Sequence, residues 1–95
     1  MKIKTAQSRI IITENIKSIA DFQAIKIAVD SAIESSQYLT IEILDSISIT
    51  SSVIGYFNML VHTKNIDLHL HVKNPKLIAL LEDLSLVKAF NAKQV

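Results

Sequence analysis

The sequence predicts an α/β domain with a mixed, mostly parallel β-sheet and helices packed mainly on one face. Short β-branched segments alternate with helical patterns along the chain, and two of the predicted strands alternate apolar with polar residues. Alternation of strand and helix implies parallel crossovers. The half-polar strands indicate that helices cover one sheet face and that the other is partly solvated. At 95 residues, we expect residues 1–95 to form one domain with one small core.

The first third of the chain predicts a hairpin and a helix. Two short β-branched segments, Lys2–Thr5 and Arg9–Thr13, are typical of strands that pair around a turn at residues 6–8. Ser18 fits a helix N-cap, with Asp21 three residues later in an imperfect form of the capping box. The helix that follows carries apolar residues at the spacing of one helical face: Ile19, Phe22, Ile25, Val29, Ala32 and Ile33.

Two further strands flank a second helix. Leu39–Leu44 and Ile66–Val72 alternate apolar and polar residues, as strands with one buried and one wetter face do. After a turn at Asp45–Ser48, an apolar helix is expected from Ser52 to about Thr63. The residues predicted for its core side are Val53, Phe57, Leu60 and Val61.

A third helix follows the last predicted strand. Asn74 fits its N-cap, and Pro75 takes the first helical position, where its missing N–H costs nothing. We expect this helix to pack into the core through Leu77, Leu80, Leu81 and Leu84. Leu86, Val87 and Phe90 fit a final turn or short helix, and the last few residues are expected to fray.

Composition excludes several classes of function. The 10 basic and 9 acidic residues give a net charge of +1, with no basic cluster for nucleic acid or an anionic membrane surface. There is no cysteine, which excludes disulfides, thiolate catalysis and zinc–thiolate sites and is consistent with a cytoplasmic location. No apolar run approaches the roughly 18 residues of a membrane span, and no signal peptide is recognisable. We therefore expect no nucleic-acid partner and no direct membrane insertion.

The segment Ile47–Phe57 is the most informative part of the chain. Three hydroxyl residues, Thr50, Ser51 and Ser52, stand where a helix leaves its first N–H groups unpaired, and Ser52 is expected to be the cap. A phosphate at a helix N-terminus is stabilised locally. Gly55, the only glycine, costs helix stability, and we expect it to allow close packing of the helix on the sheet.

This segment resembles the signature of the STAS domain, the fold of bacterial anti-sigma factor antagonists. The family pattern, roughly Ile-Asp-Ser-Ser-Gly-Leu-Gly before an apolar helix, corresponds to residues 49–55, and Ser51 takes the place of the family's phosphorylated serine. The resemblance covers residues 38–92 and continues through a strand, an Asn-Pro helix start, a Leu-Phe-x-x-x-Gly-Leu-like run and a final aromatic. These are Ile66–Val72, Asn74-Pro75, Leu80–Leu86 and Phe90.

The resemblance implies a regulatory protein–protein interaction in place of catalysis. The unmodified domain would bind an anti-sigma factor with serine-kinase activity, phosphorylation of Ser51 would break the complex, and a cognate phosphatase would restore it. The implied binding surface consists of Thr50, Ser51, Ser52, Ile54, Tyr56 and Asn58.

Two positions depart from the family pattern. Thr50 replaces the aspartate before the serine, and Val53 replaces the first glycine. Two alternatives therefore stand beside partner switching. STAS domains also serve as accessory subunits of phospholipid-transport ATPases, without phosphorylation. The other alternative is a non-phosphorylated scaffold that has lost its switch.

No catalytic, cofactor or metal site is expected. His69 and His71 project from one strand face at a spacing that can bind a metal, but a solvated strand face is the simpler interpretation. Glu42 and Asp45 lie beside the hydroxyl residues, yet an acid alone does not activate a serine. Glycine-rich phosphate loops and the common hydrolase motifs are missing.

Overall fold

The computed structural model describes all 95 residues, from Met1 to Val95. Eight elements follow one another along the chain: β1 (Ile3–Ala6), β2 (Arg9–Ile12), α1 (Ile19–Ile33), β3 (Tyr38–Ile43), α2 (Ser51–His62), β4 (Asp67–Val72), α3 (Pro75–Asp83) and β5 (Ala92–Gln94). This order confirms the α/β class and the predicted hairpin.

The five strands form one mixed sheet in the order β1-β2-β3-β4-β5. β1 and β2 are antiparallel, and every other neighbouring pair is parallel. Each crossover moves one strand in the same direction, so right-handed connections place all three helices on the same face. Register aligns the inward residues in rows across the strands, such as Ile10, Ile41 and Leu70.

The core lies between this face and the helices. All three helices and the three central strands contribute to one cluster of 19 buried apolar residues. Its largest side chains include Phe57 of α2 and Phe90, whose ring centroids lie 5.6 Å apart in an edge-to-face arrangement. The three helices therefore pack on one face of the sheet through this single cluster, as the half-polar strand pattern predicts.

The opposite sheet face carries no helix and is polar. Arg9 and Glu42 form an ion pair at 2.8 Å across neighbouring strands. The Nε2 atom of His69 lies 3.1 Å from a carboxylate oxygen of Asp67, and its ring lies 4.9 Å from that of Tyr38. This polar face is the partly solvated sheet face that the alternating strand pattern predicts.

The predicted helix caps at Ser18 and Asn74 are confirmed. The Ser18 hydroxyl accepts from the Asp21 N–H at 3.1 Å, and the Asp21 carboxylate accepts from the N–H groups of Ser18 and Lys17, which completes the capping box. Those hydrogen bonds, the one from Lys17 foremost, lower the pKa of the Asp21 carboxyl. Asn74 accepts from the N–H of Lys76 at 2.8 Å, with Pro75 at the first helical position.

Two predicted core residues are exposed. Ile19 is 72% exposed because, at roughly 100° per residue, it lies about 80° around α1 from the buried Val29 and about 120° from the buried Ile25. Leu84 is 47% exposed because the helix ends there and the next residue, Ser85, takes a left-handed conformation with φ 59°.

The carboxyl-terminal residues form a strand, where the sequence predicts frayed ends. Asn91 adopts φ 47°, and its side-chain amide donates to the carbonyl of Leu68 at 2.9 Å. This turn directs Ala92–Gln94 alongside β4 as a fifth strand. The buried ring of Phe90 anchors the turn, so tertiary packing orders a segment too short to predict as a strand.

Candidate functional site at the start of α2

The segment Thr50–Ser52, called here the hydroxyl turn, lies at the carboxyl ends of the parallel strands β2 and β3. The loops that follow these strands are tied together. The buried Ser46 hydroxyl accepts from the N–H of Ile16 at 3.0 Å, and the N–H of Ile47 donates to the Asn15 side chain at 2.9 Å. These bonds hold the entry to α2 in a defined position.

Thr50 caps α2, in place of the predicted Ser52. Its hydroxyl accepts from the N–H of Val53 at 3.3 Å, and its backbone is extended, as at an N-cap. The helix therefore begins at Ser51, one residue earlier than expected. Because Thr50 takes the capping role, Ser51 and Ser52 are both left exposed in the first turn.

From the hydroxyl turn onward, the outer side of α2 carries a line of four residues: Ser51, Gly55, Asn58 and His62. These residues follow one another at spacings of four, three and four, which places them in one line along a helix. Asn58 is half-buried, and the other three are exposed. We call this line the α2 stripe.

The expected packing role of Gly55 is wrong. A Cβ atom built at this position meets no atom within 4 Å, and the residue is exposed. Gly55 therefore points to solvent and does not face the sheet. Sequence reasoning missed it as a residue of the candidate site, although a lone glycine inside an apolar helix was the available signal.

Tyr56 is buried, contrary to its predicted place on the binding surface. It is 6% exposed, and its hydroxyl donates to the Asp30 carboxylate of α1. Burial raises the pKa of Tyr56, and the hydrogen bond to Asp30 raises it further. Burial opposes ionisation of Asp30, but hydrogen bonds from Lys26 and Tyr56 outweigh it and lower the pKa of that carboxyl. Tyr56 therefore joins two helices and is not available to a partner.

The remaining predicted surface residues differ in their exposure. Ser51 and Ser52 are exposed, whereas Ile54 and Asn58 are half-buried, and Ile54 packs against the core. Thr50 is half-buried by its capping position. The structure thus leaves Ser51 and Ser52 of the predicted surface exposed, places Ile54 and Asn58 at its half-buried flank one helical turn apart, and removes Tyr56 from it.

α1 adds residues to this region that the sequence did not indicate. A small pocket of about 120 Å³ lies between the start of α1 and the hydroxyl turn, lined by Lys17, Ser18, Ile19, Thr50 and Ser52. The exposed Ile19 and the ammonium-bearing Lys17 therefore border Ser52. This region can offer a partner hydroxyl groups, one cation and one apolar contact.

No cluster of three or more histidine, cysteine, aspartate or glutamate residues has a geometry that could hold a metal ion. His69 and His71 both lie on the polar face of β4, half-buried. His69 is engaged by Asp67 and Tyr38. His69 therefore belongs to the contact network of this sheet face.

Comparisons with known proteins leave the site to be interpreted from its own geometry. No protein-family model matches the chain, and no curated protein or solved structure shows significant similarity to it. None of the helices combines the length and the apolar character needed to cross a membrane.

Proposed function

We propose that the chain is a STAS-class regulatory domain and that it binds a partner protein through the hydroxyl turn and the α2 stripe. The motif at residues 49–55 supports this class, as does the order of a hairpin followed by alternating helices and strands. The exposure of Ser51, Ser52 and Gly55, with the half-buried Asn58 in line with them, supports the choice of this surface.

The observation that carries the proposal is the open space around Gly55. Glycine inside a helix costs about 1 kcal/mol relative to alanine, and nothing within the chain requires its small size here. Local rules of this kind are typically broken where function demands it. A partner whose backbone or side chain lies directly against α2 would require a residue without a side chain between Ser51 and Asn58.

Phosphorylation of Ser51 is the proposed switch. The partner is then an anti-sigma factor with serine-kinase activity in the cytoplasm, and a cognate phosphatase reverses the reaction. A phosphate adds roughly −1.5 to −2 charges and three acceptor oxygens at neutral pH. At Ser51 the phosphate is stabilised within the domain by the N-terminus of α2, yet it adds bulk and charge to the interface. Dissociation follows from the steric and electrostatic cost at the partner's surface.

A second candidate function is an accessory subunit of a phospholipid-transport ATPase complex. Val53 is fully buried in the first turn of α2, so the motif lacks the flexible, approachable first glycine of phosphorylated family members. In this function the same stripe binds the ATPase subunit permanently, and Ser51 remains an unmodified first-turn residue. The remaining alternative, a non-phosphorylated scaffold, would bind a different partner protein through the same stripe.

The decisive experiment is affinity capture of partners, followed by mass spectrometry of the captured proteins and of residues 50–52. Ser51→Ala should retain the partner, and Ser51→Glu should weaken binding. Gln23→Glu, an exposed change of the same charge on α1, is the matched control. Equal capture by both Ser51 variants excludes the switch. A transporter ATPase captured with unmodified serines favours the accessory function.

A further inference from the structure

A second surface lies between α1 and the edge strand β1. A groove of about 370 Å³ separates them, and its walls are Thr5 and Gln7 on one side and five α1-side residues on the other: Ile27, Ala28, Ser31, Ala32 and Ser35. Ile27 is 72% exposed at the groove's wall. The small side chains of Ala28, Ser31 and Ala32 keep the groove open.

The edge of β1 beside this groove has unpaired backbone groups. β1 pairs only with β2, and the carbonyl of Lys2 accepts from the N–H of Thr13 at 3.2 Å. Hydrogen-bonded and non-bonded pairs alternate along an antiparallel ladder, so the backbone N–H and C=O groups of Lys4 and Ala6 also point towards β2. Ile3 and Thr5 therefore direct their N–H and C=O groups outward, towards an additional strand.

We propose that this groove binds an extended acidic peptide segment of another protein, which adds to β1 as a sixth strand. Main-chain groups of the peptide pair with Ile3 and Thr5, in the manner of β-strand addition. Alternate side chains of the peptide enter the groove, where Ile27 supplies the apolar contact and the small residues of α1 leave room.

The charge of the edge selects this occupant over a second copy of the chain. Lys2 and Lys4 are exposed, share the polar sheet face and form no ion pair. In a symmetric antiparallel pairing of two β1 edges through Ile3 and Thr5, Lys4 would lie opposite its own copy, and like charges directly opposite are destabilising. A peptide with carboxylates at the corresponding positions would instead pair with both lysines.

This site is independent of the hydroxyl turn. Gln7 and Ser35 lie at the amino ends of β2 and β3, whereas the hydroxyl turn lies at their carboxyl ends. Ile27 and Ile19 are equally exposed on the same helix but belong to the two different sites. Failure of one proposal therefore leaves the other unaffected.

The test is a random peptide library displayed on phage, selected on the wild-type protein and counter-selected on Thr5→Pro. Proline removes the outward N–H of Thr5 without breaking the ladder to β2, since edge positions tolerate it. Thr5→Val, which keeps the N–H, is the matched control. We expect peptides with alternating acidic and small apolar residues, bound about tenfold or more weakly by Thr5→Pro than by Thr5→Val.

Amide hydrogen exchange of the selected complex identifies the binding mode. The Ile3 and Thr5 amides should exchange at least about tenfold more slowly in the complex, while those of Lys4 and Ala6, already paired, should change little. Ile27→Glu should weaken peptide binding, and Ile19→Glu should not.

Three results would overturn the proposal. One is a selection that yields no peptide dependent on the Thr5 N–H, and another is enrichment of basic peptides. The third is protection of Ile3 and Thr5 that rises with protein concentration alone, because it would assign the edge to a second copy of the chain.

Discussion

Replacing Gly55 by alanine should stabilise the protein and weaken partner binding at the same time. Gly55 is an interior residue of α2, and alanine is favoured there by about 0.8–1.0 kcal/mol. The added Cβ meets no atom within 4 Å, and Gly55 does not adopt a positive φ, so no steric or backbone cost offsets this gain. The net expectation is about 1 kcal/mol of added stability, or roughly 4–8 °C in Tm for a domain of this size.

Urea unfolding followed by far-UV circular dichroism measures the effect. The midpoint should rise with an unchanged slope, because the surface exposed on unfolding is nearly the same. Ala79→Gly, an exposed interior position of α3, is the reverse control and should cost about 1 kcal/mol. If Gly55→Ala lowers the midpoint, the assignment of Gly55 to open solvent is wrong.

The binding half of the prediction uses a larger substitution. Gly55→Leu also extends into open space, so the variant should fold with a stability at or above that of the parent. Its side chain would occupy the stripe between Ser51 and Asn58 and should reduce capture of the partner more than alanine does. A leucine variant that is stable and binds normally would remove Gly55 from the interface.

Three other predictions test the contacts that hold the site. Tyr56→Phe should cost about 1.5 kcal/mol at neutral pH, because the hydrogen bond to the Asp30 carboxylate is lost. Since the folded-state pKa of Tyr56 is raised above the ordinary tyrosine pKa of about 10, this contribution is complete below that pH and declines above it. Chemical denaturation should show that the difference in unfolding free energy between wild type and variant narrows as the pH rises above about 10, and a constant difference would contradict the hydrogen bond to Asp30. Thr50→Ala should cost about 1 kcal/mol as the loss of a cap, whereas Ser52→Ala should change the unfolding midpoint little; a larger loss from Ser52→Ala than from Thr50→Ala would return the cap to Ser52. Phe90→Ala should cost about 3–5 kcal/mol and expose the amides of β5 to hydrogen exchange, and retained protection there would show that β5 does not depend on this ring.

Local signals allowed the secondary structure to be predicted closely. The caps at Ser18 and Asn74 were readable because a cap depends on hydrogen bonds within one turn, and the hairpin because its strands are adjacent in sequence. The placement of hydroxyl residues at the start of α2 was readable for the same reason. Which hydroxyl caps the helix depends on where the preceding loop ends, and the bonds of Ser46 and Asn15 set that position.

The orientation of α2 was not readable from its periodicity. Apolar residues occur around most of the helix, so the 3.6-residue pattern does not distinguish the side of Tyr56 from the side of Val61. The position of α1 decides which side of α2 is buried. Phe22 contacts the Tyr56 ring, and the Asp30 carboxylate accepts from the Tyr56 hydroxyl. Once that face is buried, Ser51 and Gly55 necessarily face solvent.

By itself the sequence determined the α/β class, the order of the first seven elements and the location of the hydroxyl turn, because these follow from hydrogen bonds and periodicities within short segments. Only the tertiary structure decided that Ala92–Gln94 forms a strand, that Tyr56 is buried and that Gly55 is open. Those outcomes depend on contacts between residues distant in sequence, which a local pattern does not encode.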